Sequence, residues 1–304
     1  MKSSSVARPA VVLLVLALVA PGLAGADHPL GNIPWSTLLP PHPGVTAPAD
    51  PAIPCGEHPT PACVDQVIDD MVVNWEPWDA SCDPRAVFAL TYLLTTEAFR
   101  ETIEDTGFFQ DNDGIINLDR VFADLFFAAV DGYENGTAPP AWKVAFDAAT
   151  SGRTNAVQDV FLGMNAHIQR DLPVALAAVG LVQADGASRK SDHDAVNEIL
   201  SDVLDHIEDE IGRLYDPMVA LADAKPSPVD EVGALELLKS WREGAWRNAE
   251  RLTLARSNAE RNVVMAQIEA YSTIWATVIA GPDFSWYEAR RFAYCTAAHQ
   301  ATQP

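Results

Sequence analysis

From Val64 onward, apolar residues recur at every third or fourth position, with Gly and Pro clusters between the periodic runs. This spacing gathers apolar side chains on one face of an α-helix. It predicts helices over 64–75, 84–106, 117–134, 139–149, 155–182, 191–223, 230–256, 259–280 and 284–299. Pro84 and Pro140 suit first-turn positions. Ser191-Asp-His-Asp194 reads as a capping-box variant opening the 191–223 helix. No run alternates long enough to predict a sheet, and no internal repeat is visible. The expected fold is all-α, an irregular multi-helix bundle in one domain over 63–304.

Two segments precede it. Residues 27–62 hold ten Pro and little periodicity, which predicts an extended segment lying along the surface. Residues 1–26 read as a secretory signal peptide. Lys2 and Arg8 give it a positive start, Ala10 to Ala20 is too short an apolar run to span a bilayer comfortably, and Ala24-Gly25-Ala26 suits signal peptidase. The expectation is a secreted protein with no membrane span in the mature chain.

Composition agrees with a packed core: 48% of the 304 residues are hydrophobic and 20% charged. The net charge of -22 becomes -24 once Lys2 and Arg8 leave with the first 26 residues. Binding nucleic acid by bulk charge needs a basic face, so that class is excluded. The four Cys, at 55, 63, 82 and 295, favour two disulfides in an exported chain. Three pairings are possible. The expected one joins Cys55 to Cys63 around a short Pro-rich loop and Cys82 to Cys295 across the whole helical domain.

Candidate chemistry comes from polar residues on apolar faces. His167 and Asp171 lie four apart at the margin of the stripe Val157, Val160, Phe161, Met164, Ile168, Leu172, Ala175 and Val179, just before Pro173, which breaks the hydrogen-bond ladder at Gln169. His193 and Asn197 repeat the spacing beside Leu200, Leu204 and Ile211. His193 sits in a first helical turn, where the dipole disfavours protonation and leaves the metal-binding form. Glu97 aligns with Leu90, Leu93 and Leu94, and Asp131 with Asp124, Phe127 and Ala128.

One expectation is a metal site of His167, Asp171 and His193, completed by Asp131 or Glu97. Zinc suits this donor set, manganese or iron less well. A metal-bound water would then attack an ester or phosphoester of a small-molecule or lipid-like substrate, with Asn165 and Asn197 orienting it. A second expectation is a metal-free acid–base pair of His167 and Asp171. A third is a buried hydrogen-bond network in a non-catalytic binding or structural module. Asp111 to Asp119 looks like a calcium loop, but Phe109 and Arg120 fall where oxygen ligands belong, so a turn and helix start fit better.

Phe161-Leu-Gly-Met-Asn-Ala-His-Ile-Gln-Arg-Asp-Leu-Pro-Val-Ala-Leu176 resembles the signature of a bacterial family known as domain of unknown function 5995. His193-Asp-Ala-Val-Asn197 and Trp241…Ala245-Trp246…Ala249 resemble its later motifs, so the likeness covers about 85–280. It implies a helical fold and singles out Asn165, His167, Asp171, His193 and Asn197, without implying a reaction. More remotely, His167-x-x-x-Asp171 resembles the zinc ligands of the secreted all-α phospholipase C and single-strand nuclease superfamily. His193-x-x-x-Asn197 departs from that pattern, with Asn where an acid stands.

Overall fold

The computed structural model describes residues 33–219 and 228–302; the expected signal peptide lies outside the described residues. After a single turn α1 (Trp35–Leu38), the chain runs through α2 (Ala62–Ala80), α3 (Arg85–Thr102), α4 (Asn112–Glu134), α5 (Pro140–Thr150) and α6 (Ala156–Met164). A π-helical segment, Asn165–Asp171, passes directly into α7 (Leu172–Val179). Then follow α8 (Lys190–Leu214), α9 (Pro228–Leu254), α10 (Asn258–Ile279) and α11 (Glu288–Thr302). Among the described residues there is no strand, only an isolated bridge between Val182 and Ser188. The helices form one compact all-α body.

Local chemistry sets several boundaries. Asp111 caps α4 by accepting from the Gly114 amide, so the stretch that resembled a calcium loop is a turn and a helix start. Asn155 and Gln158 form a reciprocal capping box at α6. The Ser191–Asp194 cap is not formed. α8 begins at Lys190, and Asp192 instead clasps the amides of Gln110 and Asp111 at 2.8 and 2.9 Å.

The predicted 155–182 helix is broken into three by the π segment. Pro173 has no N–H to give and its ring would collide with the carbonyl four residues back. The wider turn relieves this, and Leu172 donates to the carbonyl of His167, five residues back. A π turn adds one residue to a helix, about 100° of rotation at 3.6 residues per turn. The apolar stripe drawn through both halves is therefore out of phase on its N-terminal side. Val157 is 48% exposed, while Ala156, Asp159, Leu162 and Gly163 are buried.

The π segment is central, packed against α4, α5, α9 and α10. Gly163, just before it, receives the Phe88 ring so closely that an added Cβ would come within 2.1 Å of a ring carbon. Residues 33–61 lie along the body. Trp35 Nε1 donates to Glu236 at 2.8 Å, Arg247 donates to the carbonyls of Ser36 and Pro40, and His42 meets Glu243 and Glu250. Both disulfides are Cys55–Cys63 and Cys82–Cys295, each with Cα atoms 6.0 Å apart. No helix among the described residues is long and apolar enough to cross a membrane.

Candidate functional site

A cavity of about 120 Å³ lies between α3, α4, the π segment and α8, with Leu238 and Arg242 of α9 also in its wall. Most of its lining is apolar, including Phe88, Phe99, Phe122, Leu172 and Ile199. Its volume is of the order of an engineered apolar cavity of roughly 150 Å³ that takes up benzene. Both His167 and His193 line it, as do Tyr92, Asp119 and Arg242.

His167 is 3% exposed. Phe122 stacks on its ring at 3.5 Å between centroids, and Tyr92 meets it edge-on at 4.5 Å. Nδ1 donates to Asp171 Oδ2 at 3.1 Å. Asp171 is fully buried and also accepts from Trp142 Nε1 at 2.7 Å and from Arg170 at 2.6 Å. This fixes the ring and its tautomer. Burial lowers the His167 pKa, only partly opposed by Asp171, so the neutral ring keeps a lone pair on Nε2.

That nitrogen has no hydrogen-bond partner, and neither have Tyr92 Oη nor Asp119 Oδ2; all three are buried atoms of cavity-lining residues. Burial, reinforced by Asp119, raises the Tyr92 pKa well above its usual value, so the phenol stays a donor. Burial pushes the Asp119 carboxyl up to about 7, against the pull of Arg120. The wall thus offers an unprotonated base, a phenol and a carboxyl group that holds its proton near neutrality. Native interiors leave few polar groups unmatched, so three on residues that line one cavity make it the candidate site.

His193 is built differently. Its Nε2 donates to the Arg242 carbonyl at 3.1 Å, and its Nδ1 faces Arg242 Nη2 at 3.5 Å. Arg242 also donates to the His193 carbonyl and, at 2.8 Å, to Asn197 Oδ1. Burial, then the charges of Arg242 and Lys190, hold the His193 pKa well below its usual value. Both ring nitrogens are engaged and a guanidinium stands beside them.

The remaining expected residues divide in the same way. Asn165 is fully buried and structural: Nδ2 donates to the Ser272 carbonyl at 2.9 Å and Oδ1 accepts from Gln169 at 2.6 Å, tying the π segment to α10. Asn197 holds Arg242. Glu97 and Asp131, expected to complete an interior cluster, are exposed and line no part of the cavity. Each sits at the edge of its apolar arc, where helical spacing separates inside from outside poorly. The ligand atoms of His167, Asp171 and His193 do not gather within 4.8 Å of one another. Among the described residues the trio that does, Cys82, Cys295 and His299, has its sulfurs joined in a disulfide. With Asp171 saturated and His193 engaged, the cavity's unengaged donors are His167 Nε2 and Asp119 Oδ2, whereas zinc takes at least three protein ligands.

Tyr92, Asp119 and Trp142 were not found from the sequence. Asp119 passes the same test that found His167: it lies three before Phe122 and seven before Phe126 on an amphipathic helix. Residues 64–282 match the family of unknown function DUF5995, and the chain belongs to that family. No curated protein and no solved structure matches it, so the phospholipase C likeness rests on residue spacing alone.

Proposed function

We propose that this protein works outside the cell, binds a small and largely apolar molecule in the α3–α4–α8 cavity, and acts on it by metal-independent acid–base chemistry. His167 is the base, its tautomer set by Asp171, and Tyr92 and the protonated Asp119 are the donors for an oxygen of the ligand. An ester carbonyl fits this set: the two donors polarise its oxygen, His167 takes a proton from attacking water, and as the acyl C–O bond breaks His167 returns that proton to the departing alcohol oxygen. The observation that carries the reading is the coincidence of three unpartnered buried polar atoms on one apolar cavity. Two disulfides suit an oxidising, extracellular location.

The test is titration with phenol, whose ring matches the cavity and whose hydroxyl can donate to Nε2. Saturable shifts of the His167 ring-nitrogen NMR signals, absent in His167→Phe, are expected. No saturable shift up to millimolar phenol would remove the reading. The network reading keeps one firm observation in its favour, the hydrogen bonds of the His193 ring and of Asn197, which tie α8 to α9.

A further inference from the structure

Arg242 is 6% exposed and lines the cavity. Its hydrogen-bond partners are neutral: the Asn197 side-chain oxygen, the His193 carbonyl and the His193 ring. Among the described residues no carboxylate lies within ion-pair distance of it, although the chain carries 42 acids. Its neighbour Lys190 is held by Asp194 and Glu243, and Arg247 one turn on by Glu243, so the nearby acids serve other cations. Burial, opposed by the charge of Asp194 beyond ion-pair distance, depresses the Arg242 pKa only to about 10, so the group remains a cation at neutral pH. A buried charge with no carboxylate in direct contact costs several kcal/mol, and proteins that keep one generally pair it with something. His193, in the first turn of α8, adds the positive end of a 25-residue helix dipole to the same wall.

We infer that the cavity's ligand is a small carboxylic acid in its anionic form, its carboxylate paired with Arg242 and its hydrocarbon part among Phe88, Phe99, Ile199 and Leu238. This deepens the proposed function and rests on it: the anion end lies at α8 and α9, and the acid–base set of His167, Tyr92 and Asp119 serves the rest of the molecule. A guanidinium suits a carboxylate because its planar N–H groups match the two oxygens. A single anion is tolerated despite the net charge of -22, since exposed charges are screened beyond about 10 Å at 0.1 M salt whereas a buried partner is not.

The test compares valerate with 1-pentanol, which share a chain and differ in the head group, by calorimetry on the full mature protein. Valerate is expected to bind at least about tenfold more tightly, the scale of one charge-assisted hydrogen bond. Arg242→Gln is expected to abolish that preference, bringing the valerate affinity down to that of 1-pentanol in the same variant. The wild-type comparison stands even if Arg242→Gln fails to fold, because it needs no variant. Equal or tighter binding of 1-pentanol overturns the carboxylate inference and leaves the pocket reading standing. Binding of neither overturns both.

Discussion

Two buried imidazoles line the same cavity and illustrate opposite fates for a polar side chain in a core. His193 spends both ring nitrogens on Arg242, whose own hydrogen bonds go to the His193 carbonyl and Asn197. His167 spends one nitrogen on Asp171 and keeps the other unmatched, as do Tyr92 and Asp119 beside it. The first cluster ties α8 to α9. The second is held in place by its surroundings but leaves bonding capacity unused. Burial alone therefore does not distinguish structure from function; unused capacity at a cavity does.

The largest test of this contrast is Asp171→Ala. It strips the acceptor from the buried Trp142 and His167 and leaves Arg170 with Glu269 alone, so a loss of about 3–5 kcal/mol is expected by urea denaturation. A loss under about 1 kcal/mol would show that the site is not pre-organised as described. His193→Ala comes next, at about 2–4 kcal/mol, because it opens space against Trp246 and leaves the Arg242 carbonyl without its donor, although the guanidinium keeps the backbone carbonyl at 193 and Asn197. His167→Phe should cost only about 1–2 kcal/mol, since Asp171 loses one donor but keeps Trp142 and Arg170, the ring stack on Phe122 survives and an unsatisfied nitrogen disappears, yet phenol binding should vanish. If His167→Phe destabilises as much as His193→Ala, the two histidines are alike and the contrast fails.

Acidity provides a subtler probe. The folded-state pKa of Asp119 is raised to about 7 against an ordinary 3.8, so between those values the folded protein holds a proton that the unfolded chain has released. Folding stability contributed by this group is therefore lost as pH rises through that window. Asp119→Asn has no proton to lose, and its stability relative to wild type should climb between pH 4 and pH 8; a flat difference would contradict the burial of this carboxyl. The histidines act in the opposite sense. Their lowered folded pKa values mean that the unfolded chain binds protons first below about 6.5, so acid removes stability. The smallest expected effect is that of a chelator: melting temperature and phenol affinity should not change with EDTA, and a clear drop in either would restore a metal to the cavity.

The fold was legible because helical periodicity is a strong signal over long runs, and each of the nine expected helices has its counterpart, with 155–182 divided. The division was not legible. Pro173 announces a disturbance, but whether a helix answers by kinking, ending or widening depends on what packs around it. The site was legible in part for a related reason. His167 and Asp171 interact within one helix, where spacing decides the contact. Trp142 and Arg242 reach their partners from other helices, and no periodicity within a helix reports that. Glu97 and Asp131 show the converse error, since a wheel projection assigns a face but not the depth at which a neighbouring helix stops.

The pairing of the cysteines bears on the order of events during synthesis. Cys55 and Cys63 are separated by eight residues, whereas Cys82 waits for a partner 213 residues further along. A short loop closes far sooner than a long one. On a chain emerging from its N-terminus into an oxidising space, the early ring consumes the only two thiols with which Cys82 could mispair. The long crosslink is then the sole bond left to make, so timing rather than selection among isomers secures the native connectivity.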